Sequence, residues 1–430
     1  VHVSEPVEFI GYEQLQKEAE VIAVFNGEGD RVPKLSIGDS GIVVIDKTPF
    51  YAESGGQVGD VGRIFGPDFE FQVTDTQISA AQHLHIGSVA RGEIEPGQSG
   101  FAEVASAERG QTCANHSATH LLHAALRSVL GVHVQQKGSL VNPEKLRFDF
   151  SHESGVSREQ IAQIEDQISA QIRDNTAVET KLMPYKEAVA SGAMALFGEK
   201  YADEVRVVSM GGDYSVELCG GTHVARTGEI GAFKIQFETG IAAGVRRIEA
   251  VSGQAAVSHL RLLEDRMLMA SEQLKTNPAE LVDRITHLVG ENKSLAKEIA
   301  ALSQKVAAAQ SSDLSGSIDD INGVSVLAAS VNGDSKAVMQ TLDTLRSKAP
   351  DNSIFVLANT HDGKVGLVVA VSKDLNARIA APNLLNEIGP LVGAKGGGRA
   401  DLARAGGGNN PDGVEPLLAA AKQWIRERLS

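Results

Sequence analysis

The chain has 430 residues, 42% of them hydrophobic, and carries 55 acidic against 40 basic side chains for a formal net charge of −15. That length predicts two to four domains with ample core. The charge argues against wholesale coating of nucleic acid, the lack of any apolar run near the roughly 18 residues of a bilayer span excludes a transmembrane helix, and two cysteines exclude a disulfide framework and suit a reducing cytoplasm. The charge is uneven: residues 311–430 hold 12 basic and 13 acidic side chains, residues 1–310 hold 28 and 42. The C-terminal segment is therefore the better candidate to meet a phosphate backbone. The opening Val1-His2-Val3-Ser4-Glu5 has no signal-peptide character, and a chain starting this way is expected to be a piece of a longer protein.

Residues 1–107 are rich in Gly and Val. Short runs such as Ser40–Ile45 and Phe69–Val73, separated by turn signals such as Gly66-Pro67-Asp68, predict a small antiparallel β-barrel. Residues 108–252 alternate helical and strand patterns. Ala118, Leu121, Leu122, Ala125, Leu126 and Val129 predict a helix over Asn115–Leu130, stopped by Gly131. Leu146, Phe148 and Phe150 alternate with Arg147 and Asp149, and Phe233, Ile235 and Phe237 with Lys234, Gln236 and Glu238, as half-buried strands do. Ser157–Gln160 is a capping box ahead of Ile161, Ile164, Ile168 and Ile172. This segment reads as an α+β sheet with helices on one face.

Residues 253–312 read as helical throughout, broken at Thr276-Asn277-Pro278. Leu281, Ile285, Leu288, Asn292, Leu295, Ile299, Leu302 and Val306 follow a 4-3 heptad with Asn292 at a core position. An intramolecular helical hairpin and pairing between chains are both compatible with that pattern. Residues 313–430 read as a separate α/β module, with strands at Val324–Leu327, Ile354–Leu357 and Val365–Val371 and helices near 335–348, 377–389 and 413–429. Within it Lys395-Gly-Gly-Gly-Arg399 and Arg404-Ala-Gly-Gly-Gly408 form either a loop that approaches phosphate closely or a flexible loop with solvated charges. The whole is an α+β multidomain chain.

The chemistry concentrates in two short ligand pairs. His116-Ser-Ala-Thr-His120 places two imidazoles at i and i+4 on one helix face. Cys219-Gly-Gly-Thr-His223 follows the alternating run Tyr214–Leu218, so it reads as a strand end turning through two glycines. Together His116, His120, Cys219 and His223 suffice for one tetrahedral Zn²⁺ site. His123 reads as packed or exposed rather than as a fifth ligand, and Cys113 as a small core residue.

These motifs, with Gln136-Lys-Gly-Ser-Leu, Arg147-Phe-Asp-Phe150, Gly244-Val-Arg-Arg-Ile-Glu-Ala250 and Thr48-Pro-Phe-Tyr-Ala-Glu-Ser-Gly-Gly-Gln-Val-Gly-Asp60, resemble the editing domain of bacterial alanyl-tRNA synthetases, and Gly396-Gly-Gly-Arg-Ala-Asp401 resembles their C-terminal tRNA-binding domain. The resemblance covers essentially the whole chain in the expected order. Nothing in it resembles a class II ATP site, so the aminoacylation domain is expected to be absent. It implies a cytoplasmic editing enzyme that hydrolyses the ester of tRNA for alanine mischarged with serine or glycine, without ligase activity of its own. It implies Gln136 and Cys219 at the reacting end, and Gln57, Arg246 and Arg247 near the pocket or the tRNA end. Lys395, Arg399 and Arg404 are the candidate tRNA contacts of the C-terminal module. Without the resemblance Gln136 reads as a surface glutamine, and Arg246 and Arg247 as a cationic strand edge. Self-association through the helical linker or the C-terminal module is a further expectation. The rivals are a free-standing trans-editing deacylase, a non-catalytic zinc-stabilised RNA-binding protein, and a nucleic-acid phosphoesterase, which the lack of an Asp-His-His metal motif disfavours.

Overall fold

A computed structural model describes residues 7–79, 82–195, 202–349 and 351–430; the opening Val1–Glu5 lies outside these. The chain divides into two compact units, Val1–Met269 and Ala270–Ser430.

In the first unit, β1 (Gln16–Asn26), β2 (Ser40–Ile45), β3 (Gly62–Phe65), β4 (Glu70–Ser79), β5 (Gln82–Arg91) and β6 (Ser99–Val104) pair antiparallel in the order β6-β3-β4-β5-β2-β1. Pairing of β6 with β1 closes the ring, so the expected barrel is present. Closure removes the exposed strand edges. Its interior is filled by inward side chains of the strands, among them Val21, Val43, Ile45, Phe71 and Val73, and by Phe50 from the connection after β2.

The barrel runs directly into α1 (Ser106–Leu130), which starts nine residues before the apolar periodicity becomes evident. Its first two turns are held by polar contacts, because Arg109 is buried in an ion pair with Asp60 and donates to the carbonyls of Gly11 and Pro49. The sheet beside α1 comprises β7 (Gln136–Val141), β8 (Leu146–Ser151), β12 (Phe233–Ala242) and β13 (Val245–Ser252), in the order β7-β8-β13-β12, all antiparallel. Between β8 and β12 lie α2 (Arg158–Asp174) and a smaller antiparallel sheet of β9 (Glu179–Pro184), β10 (Glu204–Met210) and β11 (Ser215–Leu218). The capping box forms as read: Ser157 Oγ accepts from the Gln160 backbone N–H while the Gln160 side chain accepts from that of Ser157. Leu121, Leu122 and Leu126 of α1 and Ile164, Ile168 and Ile172 of α2 pack on Phe148, Phe150, Ile235 and Ile248, one face of the sheet. Phe237 departs from the alternation and is 45% exposed. A bulge between Ile235 and Phe237 adds one residue to β12 and turns the side chains from Phe237 as far as Gly240 to the opposite face, before a second bulge between Gly240 and Ala242.

Helix α3 (Gly253–Gln273) crosses the boundary between units and α4 (Leu281–Ser315) belongs to the second. The break falls where read: Asn277 Oδ1 accepts from the Glu280 backbone N–H and Pro278 follows the cap. The second unit is built on a six-stranded sheet of β14 (Asp319–Ile321), β15 (Val324–Ser330), β16 (Ser353–His361), β17 (Lys364–Val371), β18 (Lys395–Arg399) and β19 (Leu402–Gly408), in the order β14-β15-β16-β17-β19-β18. Only β15 and β16 run parallel, joined by α5 (Ser335–Lys348). That helix covers one face through Val338, Leu342 and Leu345. The other face is covered by α6 (Ala381–Ile388) and α7 (Val414–Leu429). The glycine-rich segment is not a loop: Lys395–Arg399 and Leu402–Gly408 form a hairpin at the sheet edge. A Cβ on Gly396 or Gly398 would fall 1.9 and 2.2 Å from carbonyl oxygens of β19, so the glycines let two backbones close up.

Candidate metal centre

Helix α1 delivers the first donor pair and the end of β11 the second. His116 and His120 lie one turn apart with rings stacked 5.2 Å between centroids. His223 lies 4.4 Å from the first and 5.0 Å from the second, measured between centroids. One ligand atom from each of His116, His120, Cys219 and His223 falls within 4.8 Å of all the others. Cys219 Sγ is 3.5 Å from His116 Nε2 and 3.3 Å from His223 Nε2.

The ring nitrogens facing away from this centre each have a partner. His116 Nδ1 is 2.8 Å from Gln57 Oε1, His120 Nδ1 is 2.7 Å from Glu217 Oε2, and His223 Nδ1 is 3.2 Å from Ser117 Oγ. Gln57 Oε1 also accepts from the Thr222 backbone N–H, which identifies it as the amide oxygen, so His116 carries its proton on Nδ1. The Glu217 carboxylate imposes the same tautomer on His120. In both rings Nε2 then points inward, ready to offer its lone pair once unprotonated, the arrangement by which outer carboxylates and carbonyls orient metal-ligating imidazoles. His120 Nε2 is buried with no hydrogen-bond partner, an orphaned atom that a cation would satisfy. Three imidazoles and one thiolate suit zinc.

The electrostatics agree. Burial works against a Cys219 thiolate, yet the imidazoles of His116, His223 and His120 hold its pKa well below the ordinary thiol range. Burial would also favour neutral His120, but Glu217 and Cys219 raise its pKa; a divalent cation would replace that proton. His223 is pushed down by burial and stays neutral.

The loop carrying Cys219 and His223 is fastened from several sides. Arg206 Nη1 donates to the carbonyls of Cys219 and Gly221, at 3.0 and 2.8 Å. Tyr12 Oη donates to the Gly220 carbonyl at 2.6 Å, and its ring lies under the Arg206 guanidinium. Gly221 is required by space, since a Cβ there would lie 2.1 Å from His116 Cε1; Gly220 faces open space. A cavity of 560 Å³ adjoins His223, lined also by Tyr12, Gln111, Arg206 and Glu229.

The other expected residues fall into distinct places. Cys113 is buried and donates to Thr222 Oγ1, behind the donors and not among them. His123 is buried and shares Glu217 with His120. Gln57 is fully enclosed, so it has no surface to offer a tRNA end. Gln136 opens β7, opposite Phe150, partly buried and not among the residues that line the cavity. Arg246 and Arg247 are each engaged by a carboxylate, Glu238 and Asp149 respectively, through paired hydrogen bonds. Lys395 and Arg404 project from the edge hairpin with no ion pair among the described residues, and Arg399 meets only its neighbour Asp401. The residues missed in the sequence are Glu217, Ser117, Thr222, Arg206 and Tyr12. Glu217 had one signal, a charged residue inside a strand next to a ligand motif.

Three family models match parts of the chain. The model of "tRNA synthetases class II (A)" matches residues 1–107, the barrel. That of the "Threonyl and Alanyl tRNA synthetase second additional domain" matches residues 205–249, which contain Cys219 and His223, and that of the DHHA1 domain matches residues 323–427. The alanine--tRNA ligase of Saccharophagus degradans is 46% identical over 97% of this chain and 48% of its own length. That of Hydrogenovibrio crunogenus is 49% identical over 97% of this chain and 48% of its own length. The solved C-Ala domain from Aquifex aeolicus alanyl-tRNA synthetase is 24% identical over 26% of this chain and 97% of its own, with a TM-score of 0.23. The chain spans about half the length of the curated relatives it matches. Over essentially all of its own length the chain corresponds to the C-terminal half of the alanyl-tRNA synthetases, the half that carries the second additional domain and the DHHA1 domain.

Proposed function

We propose that this chain hydrolyses the ester linking serine or glycine to the tRNA for alanine, the editing reaction of an alanyl-tRNA synthetase. The observation that carries the reading is the donor set of His116, His120, Cys219 and His223, with Gln57 and Glu217 turning the Nε2 atoms of His116 and His120 inward. The chemical need is a second sieve, because a pocket for alanine rejects smaller glycine or hydroxyl-bearing serine only weakly.

Zinc, when bound, would supply a Lewis acid for the ester carbonyl or a docking point for the substrate amino group. The chain's own residues do the rest. Cys219 and the three imidazoles hold the cation, Arg206 and Tyr12 fix the loop that presents Cys219, and Gln136 senses or orients the aminoacyl group. Four protein donors form the closed set of a structural zinc. This favours a second reading in which the metal shapes the pocket and a water held by neighbouring polar groups attacks the ester.

The C-terminal module would bind the tRNA through Lys395, Arg399 and Arg404 on the edge hairpin, where Gly397, Gly406 and Gly407 leave open space for a close approach of the sugar–phosphate backbone. Arg246 and Arg247, already paired with carboxylates, would act mainly by holding the sheet. The helical stretch 253–312 would serve as a linker, with its heptad positions as the surface for pairing within or between chains. A cytoplasmic setting fits both the substrate and the thiolate ligand.

The test is deacylation of seryl-tRNA for alanine by this chain and by Cys219→Ala, with zinc content measured alongside. Rapid hydrolysis that the variant loses supports the reading, and a folded, zinc-loaded chain that leaves the ester intact overturns it.

A further inference from the structure

One short segment of the barrel, residues 56–60, reaches the donor cluster, the sheet beside it and helix α1 at once. The backbone on either side of Gln57 is stitched to β7: the Val141 N–H donates to the Gly56 carbonyl at 2.7 Å and the Val58 N–H to the Val141 carbonyl at 3.0 Å. The approach is close enough that a Cβ on Gly56 would lie 2.6 Å from the Ser139 carbonyl oxygen. Three residues on, Asp60 receives the Arg109 guanidinium of α1. Between these anchors the Gln57 amide satisfies three groups of the metal centre. Its oxygen accepts from His116 Nδ1 and from the Thr222 N–H, and its nitrogen donates to Thr222 Oγ1 at 2.8 Å.

We infer that metal binding and docking of the barrel on the helix-bearing domain are one coupled equilibrium, with Gln57 as the positioning residue that joins them. The inference rests on the metal-centre reading above. With the barrel lifted away, His116 loses the acceptor that fixes its tautomer, and Thr222, one residue before His223, loses two hydrogen bonds. Two of the four donors are then no longer preset. Coupling of this kind is reciprocal: the factor by which docking tightens the metal is the factor by which the metal tightens docking. Outer groups that orient ligating imidazoles contribute about 10–100-fold to metal affinity.

The experiment uses the whole chain, with zinc as the probe. Zinc affinity is measured by competition with a chromophoric chelator, and amide hydrogen exchange is followed at Val58 and Val141 with and without zinc. In the unaltered chain zinc should slow both amides. Gln57→Leu, which keeps the bulk but removes the acceptor, should weaken zinc by about 10–100-fold and abolish the zinc-dependent protection. Gln57→Glu, which retains an acceptor for His116 and Thr222, should restore both. Failure of the unaltered chain to take up zinc would remove the metal centre itself. Zinc uptake with Val58 and Val141 exchanging equally in both states would overturn the coupling alone, and that result comes from the unaltered chain without any variant. Wild-type zinc affinity in Gln57→Leu would overturn it equally.

Discussion

Removal of Glu217 should be costly, and the cost follows from its surroundings. It is 4% exposed and its two oxygens accept from His120 Nδ1 at 2.7 Å and His123 Nδ1 at 3.0 Å. Burial alone would raise its pKa, but His120 and His123 hold it below the usual carboxylate range, so the group is an anion in the fold. Glu217→Ala strands two imidazole N–H groups in positions 7% and 3% exposed. Each stranded donor costs about 1–3 kcal/mol, and breaking a buried charged pair by removing one partner costs about 3–5 kcal/mol. The two figures describe the same loss and are not added. The expected destabilisation of the metal-free chain is therefore about 3–5 kcal/mol, with a loss of zinc affinity of about 10–100-fold because His120 is no longer oriented. Glu217→Gln keeps one acceptor and should fall between. Urea unfolding is best followed by hydrogen exchange along α1, since the single tryptophan, Trp424, lies in the other unit. A Glu217→Ala chain within about 0.5 kcal/mol of wild type, binding zinc normally, would refute this reading of the Glu217 hydrogen bonds.

Acid should weaken the barrel through His85. The group is fully buried, its Nδ1–H donates to the Val43 carbonyl, and its Nε2 accepts from Thr48 Oγ1. Burial lowers its pKa from 6.5 to about 3. The folded value lies below the unfolded one, so the stability is complete above pH 6.5 and is lost as pH falls from there toward 3, by about 2 kcal/mol at pH 5. Exchange protection of barrel amides should drop about 30-fold between pH 8 and 5, and His85→Gln should flatten that drop; equal slopes in both chains would sink the assignment. Replacing Lys395, Arg399 and Arg404 together should weaken tRNA binding and reduce its log–log salt slope by about one for each phosphate no longer neutralised; an unchanged slope would place the tRNA elsewhere. Gln136→His should slow clearance of seryl-tRNA for alanine, and an unchanged rate would remove Gln136 from the site.

Several features could be read before any fold was known, because each is a local pattern. The barrel strands, the Ser157 capping box and the buried triplet of Leu146, Phe148 and Phe150 follow from spacing along one element. So does the candidate donor set: His116 and His120 share a helix face by their separation alone, and Cys219 and His223 flank one turn. Other features depend on the meeting of distant segments. Phe237 faces solvent because a bulge, which leaves no periodic trace, shifts its register. The glycines after Lys395 suggested a loop because glycine disfavours strands, whereas here they admit a neighbouring backbone.

What the sequence alone determined is the donor set and the kinds of elements that carry it, since helix and strand periods place side chains relative to their own backbone. What only the tertiary structure decided is how those donors are aimed. Gln57 meets His116 across 59 positions and Glu217 meets His120 across 97. A hydrogen bond that fixes an imidazole tautomer requires two atoms within about 3 Å, and no pattern within either segment encodes which distant acceptor the folded chain brings there.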